Sequence, residues 1–366
     1  MFDTDSDVKE GLNPTNTLHS TRRQSLAFLG GLSGLSLTSS QRTVAQSDSG
    51  SNEPKIDPDT EFTVAIFPDT QYYAEQDNGI FEQMGQWIAD NKDEYNIEMF
   101  LHEGDIVQNY GSNNEDEWEV AQDAIKRIDA EHIPTVLALG NHDADNIRDP
   151  QTFRSRFPAS RYEEIEGINE TVVDWGTFEG YSENAYLIQE INGEKFLFIT
   201  LEFGPRDAAL EWSGQIMQTH SEATAILVTH TYLYHDGTRT DSNDDHAPSA
   251  YEGTLLPPES NYNNGEQMWQ TELRYHANLA AVHSGHHIGG PLVAQSEAHE
   301  KGNRTNQMFM NYQTIDNGGD GWLRLFTINT ETYNVEVNTY SPYLDQWSDD
   351  TKESFEFNLR TFKEGS

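Results

Sequence analysis

The 366-residue sequence contains no cysteine. That removes disulfides, thiolate nucleophiles, Cys-ligated zinc sites and iron–sulfur clusters. Any metal must therefore be held by oxygen and nitrogen donors. Basic residues are also scarce, 22 Lys and Arg against 62 Asp and Glu, for a formal net charge of −40. A surface of that sign offers no basic face to a phosphate backbone, which argues against general affinity for nucleic acid or anionic membranes. Lysine is the rarer cation, with eight Lys beside fourteen Arg. Carboxylates bind water and salt cations, so this balance suits a halophile; an acidic secreted protein of a mesophile is the alternative. Long apolar runs are missing too. The stretch LAFLGGLSGLSL at residues 26–37 falls short of the roughly 18–20 residues that span a bilayer, so no transmembrane segment is expected. What is present is 35% hydrophobic residues, 11% of the chain being aromatic. That supports one large core rather than a disordered acidic polymer.

Arg22-Arg23 stands just before the short apolar stretch, and small residues follow around Thr43-Val44-Ala45. This is the pattern of a twin-arginine export signal, with a chance Arg-Arg in a polar tail as the alternative. Residues 46–58 are polar, with Pro and Gly, and read as a linker. The expected division is an export signal over 1–45, the linker over 46–58 and one folded domain over 59–366. The implied location is extracellular or at the cell surface.

In the folded part, Thr63–Phe67 is a buried strand closed by Pro68-Asp69. Ile80, Met84, Trp87 and Ile88 then fall at helical spacing, followed by a strand around Ile97–Leu101. Trp118, Ala121, Ile125 and Ile128 mark a second helix, and Pro134–Leu139 a third strand. This β-α-β-α-β order predicts parallel strands with helices packed on the sheet. Tyr186–Glu190 and Lys195–Leu201 flank Asn192-Gly193 and predict a hairpin. A helix near Ala208–Met217, a strand at Ala223–Val228 and an edge hairpin over Trp322–Tyr340 complete the pattern.

Sites in open α/β sheets lie beyond the carboxyl ends of the strands. Here those ends carry Asp69-Thr70-Gln71, Gly104-Asp105, Gly140-Asn141-His142-Asp143, Thr229-His230 and Gly285-His286-His287. Carboxylate, amide and imidazole are hard to borderline ligands suited to Mn, Fe or Zn. Each alone has a plain structural reading, as an N-cap or a packed histidine. Five together, each at a strand end, point to a metal centre. The glycines before Asp105, Asn141 and His286 are expected to permit tight turns.

The series Asp69…Gly104-Asp105…Gly140-Asn141-His142-Asp143…His230…Gly285-His286 resembles the calcineurin-like metallophosphoesterases over roughly residues 62–345. The opening Asp69-Thr70-Gln71 resembles an exported branch of that family. The resemblance implies an α/β fold, a four-layer α-β-β-α sandwich, with two divalent metal ions at the strand ends. By position, Asp105 would bridge the ions; Asn141, His230 and His286 would complete one site; and Asp69 with Gln71 would hold the other. His142 would protonate the leaving oxygen while metal-activated water near Asp105 attacks.

Three departures stand out. Gln71 replaces the usual His and offers only a neutral oxygen. The usual Gly-His-x-His runs Gly285-His286-His287-Ile288, so its second His is Ile288. Gln108 stands where the family's Gly-Asp-x-x-Asp has a carboxylate behind His142. The implied activity is hydrolysis of small or polymeric phosphate esters, mono- or diesters, by an exported enzyme. A non-catalytic metal-containing binding protein derived from the fold is the alternative, and a nuclease is disfavoured by the charge. Tyr72, Tyr73, Asn109 and Arg154 are candidate pocket residues or simple packing. The polar stretch 236–265 is a candidate lid or a solvated insertion.

Overall fold

The computed structural model describes residues 53–360 except 111–113, 259, 289–291 and 299–302. The expected export signal and the linker up to residue 52 lie outside the described residues. Those described belong to one compact unit. It opens with β1 (Glu61–Phe67), α1 (Gln71–Gln76), α2 (Ile80–Asp90), β2 (Ile97–His102), α3 (Glu115–Ala130) and β3 (Thr135–Leu137). β1, β2 and β3 pair in parallel, as the alternation of apolar strands and amphipathic helices predicts. Next come α4 (Gln151–Arg156), α5 (Ser160–Ile168), β4 (Val172–Phe178), β5 (Tyr181–Ile191) and β6 (Glu194–Leu201). They are followed by α6 (Asp207–Thr219), β7 (Thr224–Thr229), α7 (Gly265–Thr271), β8 (Leu279–Ser284), β9 (Leu292–Ala298) and β10 (Arg304–Met310). β11 (Leu323–Asn329), β12 (Asn334–Ser341), β13 (Gln346–Trp347) and β14 (Phe355–Asn358) close the chain.

Two seven-stranded sheets result. One runs β13-β12-β11-β1-β2-β3 with β14 also on β12, the other β4-β5-β6-β7-β8-β10-β9. The predicted hairpin is β5–β6, and its turn residues Asn192 and Gly193 have φ of 52° and 81°. Both positive values are what a two-residue turn matching strand twist requires. The Trp322–Tyr340 hairpin is β11–β12, but it is not at an edge. β11 pairs with β1, and β12 is covered by β13 and β14. The reason is burial on both faces. Leu323 and Leu325 face the helices, whereas Phe326 and Ile328 face the other sheet.

That period of two builds the layers. In β1, Phe67 packs with Met84, Ile88, Trp118 and Ile125 from α2 and α3, while Phe62, Val64 and Ile66 face the second sheet. In β6, Phe196 and Phe198 meet them, and Phe62 contacts Phe196 edge-to-face at 4.8 Å. Leu197, Ile199 and Leu201 point the other way, to Leu210 and Met217 of α6 and Trp269 of α7. Three apolar cores thus separate four layers, α-β-β-α, as the fold class requires.

α2 and α3 approach closely at Gly85, where an added Cβ would lie 2.3 Å from the Ala124 carbonyl oxygen. Gly167 in α5 faces open space. Gly85→Ala is therefore expected to destabilise by about 1–3 kcal/mol through overpacking, against ordinary helix propensity. Gly167→Ala should stabilise by about 0.5–1 kcal/mol. Denaturant midpoints at unchanged slope measure both, and equal signs would contradict this packing.

Candidate functional site

The carboxyl ends of β1, β2 and β3 deliver Asp69, Asp105 and Asn141 from one sheet; those of β7 and β8 deliver His230 and His286 from the other. The two sets meet. Nε2 of His230 lies 3.0 Å from Oδ2 of Asp105, and Nδ1 of His286 lies 3.1 Å from Nε2 of His230. The ligand atoms of Asp105, His230 and His286 fall within 4.8 Å of one another, and all three residues are buried. Among the described residues they are the group of three or more His, Asp and Glu placed to hold a metal ion.

The tautomers follow from carbonyl partners, which can only accept. Nδ1 of His230 donates to the Glu103 carbonyl at 2.8 Å, which turns Nε2 into the site. Nε2 of His286 donates to the His246 carbonyl at 2.8 Å, leaving Nδ1 as the inward atom. Metal-ligating imidazoles are held in this way, one nitrogen on a carbonyl and the other on the ion. Oδ1 of Asn141 is buried with no hydrogen-bond partner. Two imidazole nitrogens, a carboxylate oxygen and an orphaned amide oxygen fit a borderline divalent cation.

The electrostatics couple the carboxylates and imidazoles of the site. Burial raises the pKa of Asp69, and although the His230 charge opposes this, it reaches about 7. Burial works against a charged Asp105 as well, but His230 and His142 hold it well below the usual carboxylate range. For His230, burial is outweighed by the carboxylates of Asp105 and Asp69, and its pKa rises to about 9. Burial pushes His286 far down.

Backbone strain accompanies these placements. Asp105 and His286 have φ of 51° and 75°, a left-handed conformation that costs a side chain about 1–3 kcal/mol. Asp143 secures the first of them. Its Oδ1 accepts from the amides of Ile106 and Val107 at 2.7 and 3.1 Å, and its Oδ2 from Gly140 at 2.8 Å. The glycines act differently from expectation. Gly104 does adopt a positive φ of 97°. Gly140 and Gly285 do not, and are required by close approach: an added Cβ would sit 2.2 Å from Oδ1 of Asp105 or 2.1 Å from Oδ1 of Asp69.

The family model described as Calcineurin-like phosphoesterase matches residues 62–290, well over half of the chain. The chain belongs to this family. It is 27% identical over 289 residues to the uncharacterized protein YvnB of Bacillus subtilis (strain 168), which covers 77% of this chain but only 20% of the Bacillus protein. The chain thus spans about a fifth of that relative's length. Among solved structures it is similar to a dimetal phosphatase from Danio rerio (11% identity, TM-score 0.47, covering 83% of this chain and 100% of that one). It is also similar to the NAD nucleotidase NadN of Haemophilus influenzae (12% identity, TM-score 0.42, covering 82% of this chain and 50% of that one).

The other positions singled out in this calcineurin-like chain fall as follows. His142 is half-buried; its amide donates to Oδ1 of Asp105 at 2.9 Å and its Nδ1 to the Gln108 carbonyl at 2.6 Å. Support behind His142 therefore comes from the main chain at Gln108, where a side-chain carboxylate was the family expectation. Burial lowers the pKa of His142, but the Asp105 charge and the Gln108 carbonyl raise it more, for a net rise. Gln71 opens α1, and its Nε2 donates to Oδ2 of Asp105 at 3.2 Å. His287 turns away, its Nε2 sharing hydrogen bonds with the hydroxyls of Thr231 and Thr240. Ile288 is 49% exposed. Tyr73 is core, Arg154 pairs with Glu183 and Asp149, and Asn109 binds Glu117.

Sequence reasoning missed Asn311, His246, Phe203 and Tyr251. Asn311 follows β10, and its Nδ2 donates to Oδ2 of Asp69 at 2.9 Å. The strand-end logic would have found it had Arg-Thr-Asn-Gln-Met-Phe-Met been recognised as a strand. His246 and Tyr251 belong to the stretch 236–265, and both lie against His286. Phe203 packs edge-to-face on both Tyr251 and His286, at 5.3 and 5.1 Å. The Leu255 carbonyl accepts from the Ile147 amide at 3.0 Å, fastening the same stretch.

Proposed function

We propose that the protein is an exported, metal-dependent hydrolase of phosphate mono- or diesters. The observation that carries this reading is the convergence of Asp105, His230 and His286 beside the orphaned Oδ1 of Asn141. When bound, a divalent cation there supplies an acidified water and offsets charge on the phosphoryl oxygens. The chain's own residues do the rest. Asp105, positioned by the His142 amide and by Gln71, holds its oxygens toward the centre of the site. His142 commits Nδ1 to the Gln108 carbonyl, which leaves Nε2 to hand a proton to the departing oxygen. Phe203 and Tyr251 shield the His286 side from water, which strengthens the electrostatic interactions inside.

One observation favours a second reading, a non-catalytic protein that keeps a metal as a structural clip. Gln71 and the exposed Ile288 occupy positions where the family pattern has imidazoles. Kinetics separate the two. The enzyme reading predicts Mn²⁺-stimulated hydrolysis of an aryl phosphate ester, abolished in Asn141→Ala. It also predicts that His142→Gln loses about 10²–10⁴-fold on an alkyl ester, whose leaving group needs a proton, and much less on a nitrophenyl ester. No turnover by folded protein with Mn²⁺, Fe²⁺, Co²⁺ or Zn²⁺ would leave the binding protein.

Export is supported by Arg22-Arg23 before the apolar stretch 26–37. Replacing both by lysine, Arg22→Lys with Arg23→Lys, is expected to retain the protein inside the cell. Fractionation showing unchanged secretion would refute that route.

A further inference from the structure

In place of the pair of ions that the family pattern implies, we propose that this chain holds one metal ion, bound by Asp105, Asn141, His230 and His286, and that Asp69 anchors the turn carrying His286. The proposal rests on the phosphoesterase reading of the same site and says how that site is loaded.

The imidazole donors expected for a second ion are missing from this site. Ile288 has no ligand atom and is exposed. His287, its neighbour, spends Nε2 on the hydroxyls of Thr231 and Thr240. Gln71 donates Nε2 to Oδ2 of Asp105, the same oxygen that meets His230, so it presents an N–H donor where an imidazole ligand is the family pattern. Its Oε1 is buried without a partner and is what a second ion would use. One neutral oxygen is a weak substitute for two imidazoles.

Asp69 meanwhile is engaged by two donors on the turn side. Both of its oxygens lie 3.1 Å from the amide of His286, and Oδ2 also accepts from Asn311. Gly285 leaves no room for a side chain against Oδ1. These contacts clamp the backbone where His286 takes its positive φ of 75°. A carboxylate that accepts amide donors in a buried turn keeps that turn strained in the required shape. Asp69 is then a positioning residue: it aims the imidazole of His286 and is itself held by the Asn311 amide.

The test is metal stoichiometry on the full chain, loaded with excess Mn²⁺ and desalted at high ionic strength so that surface carboxylates release loosely held ions. About one Mn²⁺ per chain is expected, with the six-line electron paramagnetic resonance spectrum of an isolated ion. Asp69→Asn should retain that one ion, bound more weakly, because the amide oxygen still accepts from His286. Two ions, an exchange-coupled spectrum, or a fall from two to one in Asp69→Asn would overturn the proposal while leaving the phosphoesterase reading intact. One ion with no turnover would do the reverse. No bound ion would overturn both.

Discussion

The contact between Asp105 and His230 ties the two sheets together at their carboxyl ends, and the rest of the site depends on it. Asp105 follows a strand of one sheet and His230 a strand of the other, and their side chains meet at 3.0 Å in the dry interior. Removing either member leaves the other buried without its partner, a loss of about 1–3 kcal/mol. Such a pair survives only where other contacts hold it. Here the Glu103 carbonyl fixes the imidazole, while the His142 amide and Gln71 fix the carboxylate.

Around this contact the chain accepts local strain. Asp105 and His286 both sit in left-handed backbone, and two glycines exist to let carboxylates pass within van der Waals distance of the main chain. Asp143 ties the Gly140 turn to the amides after Asp105, and Asp69 caps the turn at His286. Neither carboxylate need touch a substrate for the site to depend on it. The four layers supply the stiffness that keeps these strained turns in place, with an apolar core on each side of both sheets.

Much of the fold was legible because parallel strands buried on both faces are short apolar runs, as Thr63–Phe67 and Ala223–Val228 are. β10 was not, because Asn306 and Gln307 break its apolar run. Asp69, Asp105, Asn141, His230 and His286 were legible as polar residues just past strands. What remained hidden was set by tertiary approach. Nothing in the local sequence says that the His246 carbonyl will reach His286, or that Gly140 and Gly285 are needed for space and not for turn geometry. Gln108 misled in the opposite sense. Its side chain departs from the family pattern, yet its carbonyl performs the support.

The net charge of −40 bears on this site as well, since an anionic ester, the proposed substrate, would meet a repulsive surface and need salt screening or positive charge in the cleft. The central claim is that a cation at the junction of the two sheets provides that charge. Anomalous diffraction from crystals grown with Mn²⁺ and a phosphate mimic such as tungstate tests it most directly. The account predicts a manganese peak bounded by Asp105, Asn141, His230 and His286, with the mimic within reach of Nε2 of His142. Ordered Asp105–His230 contacts with no anomalous peak between the strand ends would contradict it.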